Sequence, residues 1–131
     1  MAIVNQVTKK IRMNLWDIVK FQISMHCNFN KISVSDLDLN CLTLLALSGE
    51  KEITDFCMIA TKQKIFSSDQ SVRNSLTKNE KKNLITKINK NRKRIKLNPD
   101  MNIQTSGNIL LNYKCIRVDT EKEQTNSWWE H

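Results

Sequence analysis

Ser67-Ser68-Asp69-Gln70-Ser71-Val72-Arg73-Asn74-Ser75-Leu76, followed by Leu84-Ile85-Thr86-Lys87-Ile88 and Arg94-Ile95-Lys96-Leu97, decides the fold of this chain. Across it the apolar period changes from about 3.6 residues to two. Ser67 or Ser68 is placed to cap a helix that continues to about Asn83. Val72, Leu76 and the stem of Asn79 or Glu80 form its inner face, with Leu84 closing the core. Gln70, Ser71, Arg73, Asn74, Thr77 and Lys78 fall on its outer face. Leu84 to Ile88 then alternates as a strand does, Asn89 to Lys93 is a basic turn, and Arg94 to Leu97 is the antiparallel mate. Asn98-Pro99-Asp100 breaks that second strand.

Upstream, Ser35 is a helix cap with Asp36 and Asp38 in the first turn, where acids suit the helix dipole. Leu37, Cys41, Leu44, Leu45 and Ser48 follow at helical spacing, and Gly49 is a natural stop. A second helix is predicted from about Glu52 to Lys64, with Ile53, Phe56, Cys57 and Ala60 inside and Phe66 anchoring the turn that follows. Between Leu15 and Cys27 the odd positions are apolar except for Asp17, which favours a half-buried strand. A helix is the rival, because Trp16, Val19, Ile23 and Cys27 also share one helical stripe. Downstream, Ser106-Gly107-Asn108 turns the chain into the strand-like run Ile109 to Val118.

Three helices followed by a basic hairpin is the order of an α+β winged helix-turn-helix domain. The expected organisation is an N-terminal arm with an extra strand or helix over residues 1–34, the winged-helix domain over 35–118 with a C-terminal strand, and a tail over 119–131.

Composition sets limits on what this domain does. At 131 residues, with 40% hydrophobic and 26% charged, the chain can bury a core without disulfide staples. Two glycines and one proline argue against phosphate loops rich in glycine. No run approaches the roughly 18 apolar residues of a membrane span, so no membrane partner is expected. Met1 to Lys10 lacks the apolar stretch of a secretion signal. Cys27, Cys41, Cys57 and Cys115 lie far apart with no CxxC pair, which reads as reduced thiols in an intracellular protein rather than a metal site or disulfides. His26 and His131 are far from each other, and no Cys–His or Ser–His–Asp grouping has supporting context. No enzymatic activity, cofactor or small-molecule substrate is expected. The abundance of Asn, Lys and Ile fits an AT-rich coding sequence.

The net charge of +8 is concentrated. Nine basic residues and a single acid, Glu80, lie between Lys78 and Lys96, while the remaining twelve basic and twelve acidic residues cancel. In a winged helix the third helix can enter the major groove and the hairpin tip can lie on phosphates. Arg73 and Asn74 are residue types that make bidentate contacts to guanine and adenine. The expected contact set to nucleic acid or an acidic partner is Gln70, Arg73, Asn74, Lys78, Lys90, Arg92, Lys93 and Arg94. The plainer alternative for the hairpin is a solvated basic loop. Trp128-Trp129, in an otherwise polar tail, is the expected anchor into a neighbouring subunit, against the alternative of packing on the chain's own body.

Leu15-Trp16-Asp17 with Val19-Lys20, Asp38-Leu39, Cys41 to Leu45, Phe56-Cys57, Ile65-Phe66, Gln70 to Asn74, Leu97-Asn98-Pro99 and Gly107-Asn108-Ile109 together resemble a recurring pattern. The pattern is that of small winged-helix proteins of crAss-like and related tailed phages of Bacteroidetes. The resemblance covers about Ile11 to Lys114 and excludes the tail tryptophans. It implies a phage winged-helix protein and a place in the virion near the portal, and it carries over no catalytic or ligand-binding residue. Two functions follow. One is a structural virion subunit, in a ring or head–tail connector, with copies of itself and other virion proteins as partners, assembled in the host cytoplasm. The other is a dimeric regulator that binds double-stranded DNA in the host cytoplasm.

Overall fold

The computed structural model describes residues 14–88, 93–107, 109 and 111. Its elements are α1 (Leu15–Phe29), α2 (Asp36–Ser48), β1 (Lys51–Glu52), α3 (Ile53–Lys62), α4 (Asp69–Lys81), β2 (Ile85–Lys87) and β3 (Arg94–Leu97), followed by a 3-10 turn at Pro99–Met101. The class is α+β, with four helices and a small antiparallel sheet among the described residues. No helix among them is long and apolar enough to cross a membrane.

α1 corrects the strand favoured over Leu15 to Cys27. Asn14 caps it, its side-chain oxygen accepting the Asp17 N–H at 2.8 Å. Val19, Ile23 and Cys27 recur every fourth residue and are buried, whereas Leu15 and Phe21, inward in the alternating reading, are exposed. Gln22, outward in that reading, is buried. The alternation arose because further apolar residues at odd positions, Phe21 and Met25, lie on another side of the same helix. α1 packs on α2, and its buried residues belong to the same core as those of the other elements.

α2 follows the sequence closely. Ser35 Oγ accepts the Asp38 N–H at 3.2 Å, and Gly49, at φ +77°, ends the helix by donating to the Leu45 carbonyl at 2.9 Å. Residues 41–45 are all buried. α2 is central, touched by α1, α3, α4 and β3, so apolar side chains on several of its sides find cover.

α3 buries Phe56, Cys57 and Ala60, as its spacing predicts. Beyond it, the Ile65 N–H donates to the Ala60 carbonyl at 3.1 Å and Phe66 is buried, which anchors the turn. Ser68 then opens α4 with a reciprocal cap: its Oγ accepts the Ser71 N–H at 3.2 Å, and Ser71 Oγ accepts the Ser68 N–H at 3.3 Å.

Among the described residues the sheet holds, besides the expected hairpin, a strand that was not expected, β1. β1 pairs with β3, and β3 with β2, giving the order β1-β3-β2. The register sets Lys51 opposite Ile95 and Glu52 opposite Arg94, and on the other edge Ile85 opposite Leu97 and Lys87 opposite Ile95. Two residues are too few to show a period, so β1 leaves no trace in the sequence pattern. Ile85 and Ile95 face the helices and are buried.

After β3, Asn98 Oδ1 accepts the Asp100 N–H at 3.0 Å and Met101 enters the core. The chain then meets α1 again. Gln22 Nε2 donates to the Gln104 carbonyl at 2.8 Å, and the Gln104 N–H donates to Gln22 Oε1 at 2.9 Å. One amide side chain thus satisfies a backbone donor and acceptor 82 residues away, which accounts for its burial. Of the strand-like run Ile109 to Val118, only residues 109 and 111 are described, neither in a strand, and the rest lies outside the described residues.

Candidate nucleic-acid interface

α4 is held from below by a polar cluster and presents a basic stripe above. Below, Ser75 Oγ donates to Asp38 Oδ1 at 2.6 Å and Asn79 Nδ2 donates to the Asp38 carbonyl at 3.3 Å. Asp38, Ser75 and Asn79 are all buried, so one residue of α2 ties down the middle and last turns of α4. Asp38 was expected only as a first-turn acid. Its burial and its distant partners, 37 and 41 residues away, were invisible to local spacing.

Above, Gln70, Arg73, Asn74, Thr77, Lys78 and Lys81 are exposed on one side of α4. They recur at three- and four-residue steps and so form one face. Gln70 Nε2 donates to Asn74 Oδ1 at 2.9 Å, which orients the two amides one turn apart. Lys78 Nζ lies 3.9 Å from Asp38 Oδ2 with most of its side chain in solvent, a weak attraction that leaves the ammonium accessible. Thr77 Oγ1 donates back to the Arg73 carbonyl at 2.9 Å. Lys81 belongs to this face and was not among the expected contacts.

The hairpin divides the remaining expected contacts. Lys90 and Arg92 lie outside the described residues. Lys93 is exposed at the start of β3. Arg94 is engaged within the protein: its Nε donates to Glu50 Oε2 at 2.9 Å and its Nη1 lies 3.7 Å from Glu52 Oε1. That places Arg94 as a strap between β3 and β1. Lys87 Nζ lies 3.4 Å from Glu80 Oε1, joining β2 to α4. Lys82 Nζ donates to the Ser33 carbonyl at 2.6 Å. Trp128 and Trp129 lie outside the described residues.

No group of three or more His, Cys, Asp or Glu side chains able to hold a metal ion occurs among the described residues. Burial pushes the thiols of Cys27, Cys41 and Cys57 up from their ordinary pKa, that of Cys41 to about 12. Nearby cations oppose the rise at two of them, Lys82 at Cys27 and Arg73 at Cys57. Such thiols are protonated near neutrality and are poor nucleophiles and metal ligands.

No family model matches the chain, and neither a curated protein nor a solved structure matches it.

Proposed function

We propose that this chain is a non-enzymatic winged-helix protein of a tailed phage that engages double-stranded DNA, with α4 in the major groove and the β2–β3 hairpin on the phosphates. The observation that carries the reading is the placement of α4. The order α2-β1-α3-α4-β2-β3, with the sheet arranged β1-β3-β2, is compatible with a winged-helix layout preceded by α1, and it supports this reading. In that arrangement the third helix of the domain is the reading helix. Here it is α4, whose solvent face carries Arg73, Asn74, Gln70, Lys78 and Lys81. Arg73 and Asn74 are the base-reading candidates, and the lysines are phosphate contacts.

The test is fluorescence anisotropy with labelled duplexes over a salt series. Binding should weaken steeply with salt, with a log–log slope of about −0.9 per phosphate neutralised. Lys81→Ala should weaken all sequences alike and flatten the slope by about one. Arg73→Ala should cost about 1–3 kcal/mol on a preferred site and relax its specificity. Absence of duplex binding at low salt would remove this reading.

The setting follows from the resemblance, which favours a structural place in the virion near the portal, where packaged DNA is the duplex encountered. Mass spectrometry of purified particles should then find the chain in multiple copies. Its absence from particles, with duplex binding retained, would leave the regulator as the surviving role.

A further inference from the structure

A groove of about 210 Å³ runs between α4 and the sheet. Its floor is apolar: Leu76 from α4, Ile85 from β2 and Ile95 from β3, all buried, line it, together with the half-buried Ile53 at the start of α3. Along the rim, α4 contributes Arg73, Thr77 and Glu80, spaced four and three residues apart, and β2 contributes Lys87. These rim groups are not equivalent. Glu80 and Lys87 face each other at 3.4 Å and neutralise one another. Arg73 has no acid within 4.0 Å among the described residues. The rim therefore carries one uncompensated cation above a hydrocarbon floor.

We propose that this groove binds a small monoanion with an apolar body, namely an aromatic carboxylate or an aliphatic one of comparable bulk. Charge complementarity sets the sign of the ligand, and the planar guanidinium of Arg73 favours a carboxylate, which it can hold with two parallel hydrogen bonds. The floor selects an apolar body. The volume sets its size: pockets for drug-sized molecules run to roughly 300–1,000 Å³, so this one takes a single ring or a short chain. Because Arg73 and Thr77 also lie on the reading face of α4, the bound anion and a DNA duplex compete for the same groups. That consequence rests on the duplex reading above; the binding itself does not.

Benzoate is the probe, titrated into the full chain without DNA and followed by amide and side-chain NMR shifts at constant ionic strength. Shifts should centre on Arg73, Leu76, Thr77 and Ile85. Acetate supplies the charge without the ring and benzyl alcohol the ring without the charge. Each should bind roughly tenfold more weakly or worse, because benzyl alcohol forgoes the charge-assisted hydrogen bonds to Arg73 and acetate forgoes burial of the ring on the apolar floor. Ile53→Phe, which puts a larger side chain against the groove, should weaken benzoate by a similar factor and leave duplex affinity within about twofold. Shifts from benzoate no larger than those from acetate would overturn the proposal, and this comparison needs no variant. In the competition arm, saturating benzoate should raise the apparent Kd for a duplex while matched acetate does not. An unchanged duplex Kd with the groove occupied would overturn the competition. A chain that binds benzoate but no duplex would remove the DNA reading and leave the carboxylate site standing.

Discussion

Asp38 is the residue whose loss should be felt most beyond its own helix. Asp38 is 3% exposed, and its carboxylate accepts the Ser75 hydroxyl at 2.6 Å and lies 3.9 Å from the Lys78 ammonium. Asp38→Ala removes a buried hydrogen bond to a charged group, worth about 1.5–3 kcal/mol. It also removes a long ion pair whose lysine is mostly in solvent, worth about 0–1 kcal/mol, and an acid in the first turn of α2, worth about 0.3–1 kcal/mol. The expected loss is about 2–5 kcal/mol. The Asn79 amide donates to the Asp38 backbone carbonyl, so the last turn of α4 stays attached in the variant. Ser75→Ala leaves the carboxylate buried without its donor and should cost about 1.5–3 kcal/mol. The two changes remove one shared interaction, so the double variant should fall short of their sum by about 1–2 kcal/mol. Urea unfolding of the four proteins, with unchanged m, measures this directly. Additivity within about 0.5 kcal/mol would refute the coupling and with it the account of how α4 is positioned.

Gln22→Ala severs both hydrogen bonds to Gln104. It should cost about 1–3 kcal/mol in urea unfolding and speed amide exchange at Gln104 selectively. Phe56→Ala empties the largest fully buried side chain of the core and should cost about 3–5 kcal/mol by the same assay. In a Cys115→Ser chain at pH 8, Cys27, Cys41 and Cys57 should resist a thiol-specific disulfide reagent until denaturant is added. The raised Cys41 pKa also fixes a sign. Between the ordinary value of 9.0 and about 12 the folded state holds a proton that the unfolded state has lost, so the stabilisation is complete below pH 9 and disappears as pH rises toward 12. Cys41→Ala should flatten that alkaline decline.

Local signals were strong where one residue type answers one local need. Ser35, Gly49 and Ser68 occupy the cap and stop positions their chemistry predicts, and the helices of residues 36–48, 53–62 and 69–81 follow. The segment Leu15 to Phe29 was ambiguous for a physical reason: a helix with apolar residues on two sides produces alternation by coincidence. Its capping residue, Asn14, was the available signal that would have decided for helix. Features made by distant residues were illegible. The Asp38–Ser75–Asn79 cluster, the Gln22 clasp and β1 each depend on partners between about 40 and 80 positions away. The groove between α4 and the sheet is of the same kind, because α3, α4, β2 and β3 all contribute to it. Of the expected contact set, Gln70, Arg73, Asn74 and Lys78 share one face, whereas the fold draws Arg94 aside to Glu50 and Glu52.

The fate of the concentrated positive charge is more informative than its total. The sequence places nine cations between residues 78 and 96 against one acid. Folding brings acids from elsewhere to some of them: Asp38 to Lys78, and Glu50 and Glu52 to Arg94, while Glu80 meets Lys87. Lys81 and Lys96 meet no acid within 4.0 Å among the described residues. Lys82 meets a carbonyl, which orients its ammonium without cancelling its charge. The acids therefore gather at the β1 edge and beneath α4, and the uncompensated cations remain on the outer face of α4 and on β3. The Glu80–Lys87 pair is half-exposed and worth about 0–1 kcal/mol, and the Lys78 ammonium is itself mostly in solvent 3.9 Å from Asp38, so a phosphate can approach either lysine at little cost. Arg94, held by two carboxylates, is the poorer phosphate ligand. The salt slope of duplex binding distinguishes these cases: contacts from Arg73, Lys78 and Lys81 alone give about −2.7, and adding Lys87, Lys93 and Lys96 brings it to about −5.4. A slope near the first value would mean that α4 binds without the strands of the hairpin, and one near the second that both elements lie on the same duplex.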